Sequence, residues 1–220
     1  MEGLNEIAER IHASFETRTQ ARDRALAQAR ALTRHCAQAI RAIHRAERPA
    51  ADAQLQEAAG LVDALKRDLA SFPDLFYAGY TQDAIKEFAE ASITVALIEN
   101  EDLPTPEKLG VEYATFLNGL AEAGGELRRR CLDILRQGYS HEAERLLGCM
   151  DDIYETLVTM DYPDAITNGL RRQTDIARSL VERTRGDLTI SLREQHLEQV
   201  MQAAAARLER AQGDAGHSRV

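Results

Sequence analysis

Apolar residues recur at intervals of three and four along almost the whole chain, the spacing that gathers them on one face of an α-helix. Ile7, Ile11 and Phe15 open the first stripe, which continues through Ala25, Ala29, Leu32, Cys36, Ile40 and Ile43. A second runs Ala58, Val62, Leu65, Leu69, Phe72, and a third Ile85, Phe88, Ser92, Val95. Leu117, Leu120, Leu127, Cys131 and Ile134 form a fourth, and Leu146, Met150, Ile153 and Leu157 a fifth. Ile166, Leu170, Ala177 and Leu180 form a sixth, and the segment after Leu188 adds a seventh. No segment alternates as a strand does; the β-branched run ITVALIEN continues the helical period of the residues before it.

The five prolines, Pro49, Pro73, Pro104, Pro106 and Pro163, fall between these stripes, where a residue so costly inside a helix belongs. The loops ERPAAD, NEDLPTPE, RQGYSH and MDYPDA are short, which makes successive helices antiparallel neighbours. The pattern therefore predicts an all-α bundle of about seven helices in one domain over residues 1–210. The small, polar segment 211–220 is expected to be a disordered tail.

Composition agrees with a packed bundle. Of the 220 residues 44% are hydrophobic, but only 5% are aromatic and none is Trp, so Leu, Ile, Val and Ala must build the core. The three cysteines are far apart and lack any CxxC, which argues against a zinc site or a disulfide framework and for a reducing, cytoplasmic setting. The acidic, amphipathic start of the chain does not read as a signal peptide, and no apolar run reaches membrane-spanning length.

The net charge of −9 alone argues against nucleic acid as a partner. The distribution tells more. Between Arg18 and Arg48 eight arginines face only Asp23 and Glu47. Such a stripe suits a polyanion, although a solvated helix face has the same look. Two pairs of carboxylates carry the other candidate chemistry. Glu87 and Glu90 lie three apart, and Glu122 and Glu126 four apart, each pair on one side of its helix and opposite the apolar stripe. Read as residues alone, they are either two wet helix faces or a divalent-metal site between two facing helices. Mg²⁺ takes oxygen ligands and keeps several waters, so two or three carboxylates suffice. Gly124 and Gly125, costly in mid-helix, are expected to let another backbone or a ligand come close.

Three segments bear a resemblance that bears on this choice. IKEFAEA (85–91), FLNGLAEAGGELRRRCLD (116–133) and GLRRQTDIARSLVERTRGDLT (169–189) resemble, in order, segments of the translin family. Within that family they are closest to the branch of translin-associated factor X. ARALTRHCAQAIRAIHRA (29–46) resembles the family's first helix more loosely. The resemblance implies an all-α fold of about seven helices that assembles into a hollow homo-oligomer, a hexamer or octamer, enclosing single-stranded RNA or DNA. It also implies metal ligands. Glu87 and Glu90 match the family's first acidic pair, Glu126 the acid of its Gly-Glu-Leu step, and Glu122 a neighbouring acid that is usually shorter. The function so implied is Mg²⁺-dependent endoribonuclease action on single-stranded RNA, with Mn²⁺ as a substitute metal. Glu87, Glu90 and Glu126 would be catalytic, and the acid-bearing faces would line the cavity of the assembly.

One stretch departs from the family. The region preceding the third helix in translin is basic, whereas here FPDLFYAGYTQD has no basic residue. Tyr77 and Tyr80 are the candidates there for stacking on bases, against a plain packing role. Backbone contacts are assigned to Arg18, Arg22 and Arg41, or to the pair Arg171–Arg172, with salt-dependent and sequence-blind binding expected. His44-Arg45 matches a His-Arg step of the family's first helix; a structural or RNA-contact role is open to it, and packing is the plainer one. Two other readings stand beside the nuclease. One is a non-catalytic binder of single-stranded RNA or DNA, like translin proper. The weaker one is a helical nucleotide pyrophosphohydrolase, whose ExxE…ExxD pattern is met only by Glu87–Glu90 and the ill-placed Glu99–Asp102.

Overall fold

In a computed structural model the described residues, 2–217, form helices joined by short turns and no strand. Six helices are long: α1 (Glu2–His44), α2 (Arg48–Asp68), α4 (Gly79–Ile98), α6 (Tyr113–Leu135), α7 (His141–Val158) and α9 (Leu170–His217). Three single turns, α3 (Pro73–Phe76), α5 (Pro106–Leu109) and α8 (Asp164–Thr167), fill the connections. The periodicity merged these turns into loops, and it split off as a separate helix the segment after Leu188, which continues α9 without a break. ERPAAD is mostly the first turn of α2, with Pro49 where a missing N–H costs nothing. Pro73 and Pro106 likewise open their helices, and Gly110 closes α5 in the left-handed conformation (φ 64°). Helix continues through the segment 211–217; residues 218–220 lie outside the described residues.

α4 is the centre of the molecule. Ala84, Ile85, Phe88 and Ala91 pack against α1 and α2, among Leu32, Cys36, Val62, Leu65 and Leu69. Ala89, Ile93, Val95 and Ile98 pack the other way, among Phe116, Leu120, Leu127, Leu146, Met150 and Ile153. A helix buried on two sides must be apolar nearly all round, and α4 leaves only the strip of Asp83, Lys86, Glu87 and Glu90 less than fully buried along its middle. Arg145 of α7 holds the far end of α4, donating from Nη1 to the Leu97 carbonyl (2.9 Å) and from Nη2 to that of Ile98 (3.2 Å). Arg128 ties α6 to α9 through Thr184 Oγ1 (2.9 Å) and Asp187 (2.8 Å).

The first stripe is only partly core. Ala25 to Ile43 are buried as expected, but Ile7, Ile11 and Phe15 are exposed. α2 is half the length of α1 and runs back along its C-terminal half only, so nothing among the described residues covers the N-terminal part. Ile166 of the sixth stripe is exposed for a similar reason, and so are Leu197, Val200, Met201 and Leu208 towards the end of α9.

Candidate metal and nucleic-acid site

α4 and α6 touch at a glycine. A Cβ at Gly119 would lie 2.9 Å from the Ala89 Cβ and 3.0 Å from both the Glu90 nitrogen and the Lys86 oxygen. Only glycine admits the α4 backbone this closely. Gly124 and Gly125, expected to serve this purpose, have nothing within 4 Å of such a Cβ. Their small size leaves space that no neighbouring element fills, and the close approach falls one to two turns earlier.

The approach brings the acids of the two helices together. Carboxylate oxygens of Glu87, Glu90 and Glu122, all half-buried, lie within 4.8 Å of one another, the one such potential metal-holding group among the described residues. The convergence occurs inside a single chain, in the cleft between α4 and α6. Glu122 is held from two sides at one oxygen, Oε1, which accepts from Lys86 Nζ (2.8 Å) and from Gln173 Nε2 of α9 (2.9 Å).

Glu126, one turn further along α6, is placed differently. Its Oε2 lies 2.6 Å from His44 Nε2 and 3.5 Å from Arg129 Nη1. The His44 hydrogen bond, opposed by burial, holds the Glu126 carboxyl below its ordinary value. With an ionised carboxylate at that distance, Nε2 carries the ring proton. Glu126 thus borders the cluster and adds its charge to Glu90, while its hydrogen bonds go to α1 and its own helix.

Electrostatics mark the cluster as short of positive charge. Burial, then the charges of Glu87, Glu122 and Glu126, push the Glu90 carboxyl up to about 8 against the weaker pull of Lys86. Burial also raises Glu87. Lys86 is lowered by burial, but its hydrogen bond to Glu122 and the charges of Glu122, Glu87 and Asp83 outweigh this and leave it raised. A divalent cation meets this shortage. Mg²⁺ binds oxygens at about 2.0–2.1 Å, so oxygens across it stand about 4 Å apart, close to the span of this cluster. Glu87, Glu90 and Glu122 are near enough for one such ion to draw their oxygens together.

The proposed nucleic-acid contacts do not form one surface. Arg18 is ion-paired with Asp74, and Arg22 with Asp23 (3.2 Å). Both lie on the half-free part of α1, about 28–35 Å along the helix from Arg41 at 1.5 Å per residue. Arg41 is exposed and has no ion pair among the described residues. Arg171 borders a cleft that also carries Asp161, Asp164 and Asp175, a poor setting for phosphate. Arg172 is exposed beside Gln173, the residue that reaches Glu122. Tyr77 is 60% exposed, packed edge-on against Phe76, with its hydroxyl 3.4 Å from Glu112. Tyr80 is half-buried, packs against the core between α1 and α2, and its buried hydroxyl has no partner.

Lys86, Gln173, Gly119 and the His44–Glu126 pair were not singled out from sequence as parts of a site. Only the position of Lys86 beside Glu87 was a signal, and a lone lysine between acids on a helix is usually solvated. The thiols offer no chemistry here: Cys36 and Cys131 are buried, and burial pushes both up to about 12.

The comparisons bear on the fold and the family. No protein-family model matches the sequence. An uncharacterized protein of Methanocaldococcus jannaschii is 33% identical over 186 residues, covering 81% of this chain and 82% of that protein. Among solved structures, a complex of AfC3PO with duplex RNA is 35% identical, with a TM-score of 0.77 over 84% of this chain and 95% of that one. AfC3PO alone gives 32% and 0.75, over 84% and 96%. NeC3PO without ligand, at 17% identity and a TM-score of 0.77 over 84% and 96%, shares the fold. The chain belongs to the translin family, as the order of its motifs suggested.

Proposed function

We propose that this chain is a Mg²⁺-dependent endoribonuclease acting on single-stranded RNA within a hollow homo-oligomer, a hexamer or octamer, and that it stands with the catalytic branch of its family. The observation that carries the reading is the convergence of Glu87, Glu90 and Glu122 within 4.8 Å in a pocket short of positive charge. The solved complex of AfC3PO with duplex RNA, at 35% identity, supports RNA as the ligand class. Single-stranded DNA is the second polymer to expect, because backbone contacts read phosphate and not the base.

These acids would hold a divalent ion, Mg²⁺ or Mn²⁺, which when bound would supply a water of lowered pKa and steady the charge that develops on the scissile phosphoryl group. The chain's own residues do the rest. Glu87 and Glu90 give two carboxylates from one helix, and Glu122 faces them from the other. Lys86 and Gln173 fix the orientation of Glu122 by donating to its Oε1. Glu126 orients His44 and adds negative charge at the margin of the cluster. Glu122 therefore takes the place beside the first pair that the family resemblance gave to Glu126.

Incubation of labelled single-stranded and duplex RNA with Mg²⁺, and separately with EDTA, tests this. Cleavage of the single strand that requires metal and is lost in Glu122→Gln supports the reading. Tight binding without cleavage under any divalent metal would favour the non-catalytic binder. Hydrolysis of nucleoside triphosphates and not RNA would favour the pyrophosphohydrolase. Against the last, Glu99 ends α4 and lies 3.8 Å from Arg48, outside the cluster.

A further inference from the structure

At the C-terminal half of α6, beyond Glu126, a cavity of about 520 Å³ opens between that helix and the end of α1. His44, Arg130, Asp133, Ile134, Arg136 and Gln137 line it. Two arginines against one carboxylate make it basic, in a chain whose net charge is −9. Its donors are under-used. Arg130 gives Nη1 to the His44 carbonyl at the long distance of 3.5 Å, and its buried Nε has no partner. The His44 side chain, only 5% exposed, adds no free donor, because its ring proton is committed to Glu126. Arg136 is exposed and makes no hydrogen bond or ion pair among the described residues. Buried polar groups are ordinarily satisfied, and the unsatisfied buried N–H of Arg130 beside the free guanidinium of Arg136 indicates a ligand with strong acceptor oxygens. Guanidinium groups match phosphate in particular.

We propose that this cavity is a phosphate-binding subsite and that it takes a backbone phosphate of the RNA strand engaged at the carboxylate cluster. The proposal rests on the nuclease reading for its choice of ligand. α6 supplies the register. Glu122 and Arg130 are eight residues apart, about 12 Å along the helix at 1.5 Å per residue. A stacked strand advances about 3.4 Å per phosphate, so the cavity lies roughly three to four phosphates from the cluster. His44 stands between the two sites and touches both, through Glu126 on one side and the cavity wall on the other. The acidic cluster alone repels RNA; a basic subsite a few nucleotides away anchors the strand beside it. Asp133 opposes this on one wall and weakens binding.

The test is binding of a labelled single-stranded RNA of about a dozen nucleotides, long enough to span the register of roughly four phosphates, followed by anisotropy over a salt series. EDTA is included so that no cleavage intervenes, and the wild-type protein is compared with Arg136→Gln and Asp133→Asn. Each single-strand phosphate contact contributes about 0.7 to the slope of log K on log salt. Arg136→Gln is expected to reduce the slope by about that amount and weaken binding several-fold, and Asp133→Asn to tighten it. Both residues are exposed, so thermal melting should be unchanged. Arg130→Lys, which keeps the charge but not the fork, should bind between wild type and Arg130→Gln. Slope and affinity unchanged in both Arg136→Gln and Asp133→Asn would overturn the proposal. Inorganic phosphate that binds the protein as tightly as the RNA does would overturn the strand assignment. If wild-type protein fails to cleave with Mg²⁺ yet the salt slopes shift as expected, the subsite stands and the nuclease reading falls.

Discussion

Glu90 couples pH, metal and stability in a way that a single substitution isolates. Its carboxyl stands near 8 in the fold and at the ordinary 4.5 in the unfolded chain. Between those values the folded state holds a proton that the unfolded state has lost, so the metal-free protein loses stability as pH rises from about 5 to about 8. At 1.36 kcal/mol per unit the whole shift corresponds to about 4–5 kcal/mol. Relaxation and water entry reduce this to on the order of 2–3 kcal/mol. For a chain of this size that is about 5–10 °C in melting temperature. Glu90→Gln removes the ionisation. The variant should melt within about a degree of wild type near pH 5 and about 5–10 °C above it near pH 9, in EDTA. Added Mg²⁺ should reverse the order at high pH, because only wild type has the ionised ligand whose binding stabilises the fold. Melting curves by circular dichroism over a pH series, with EDTA and with Mg²⁺, read all of this. Wild type and variant running parallel across the whole series would show that Glu90 is not confined among like charges, and the metal-site argument would lose its electrostatic basis.

Further substitutions probe the same cleft. Gly119→Ala should push α4 and α6 apart. Overpacking of about 1–3 kcal/mol is partly offset by a helix-propensity gain of about 1 kcal/mol, for a net loss of about 0–2 kcal/mol. Mg²⁺ affinity by isothermal titration should drop about tenfold or more, as it does when support to ligands is lost, and unchanged affinity would refute the role given to this glycine. Glu126→Ala should cost about 1–3 kcal/mol, because it strands a buried His44 ring nitrogen, and the loss should fade in acid, since the lowered Glu126 pKa contributes stability only where the carboxylate is ionised. Glu122→Gln should reduce Mg²⁺ affinity more than Glu126→Gln; the reverse order would restore Glu126 as the principal ligand.

Periodicity, proline placement and short loops determined the helical class, the order of the long helices and most of the buried residues, because an amphipathic helix carries its burial pattern in three- and four-residue spacing. Leu146, Met150, Ile153 and Leu157 are buried as their spacing requires. Spacing also put Glu87 and Glu90 on one side of a helix, and the family's motif order put Glu122 and Glu126 on its partner. Whether anything covers a stripe is another matter, decided by the lengths of neighbouring helices. Ile7, Ile11 and Phe15 have the right spacing and no covering partner among the described residues. Only the tertiary structure decided which acid completes the cluster. Four residues along α6 separate Glu122, under Lys86 and Gln173, from Glu126, under His44, and those partners come from α4, α9 and α1. Helical phase fixes the direction of a side chain from its own backbone, but what meets it there depends on how closely two helices approach. Here that distance is set by Gly119, whose missing Cβ admits the backbone of α4.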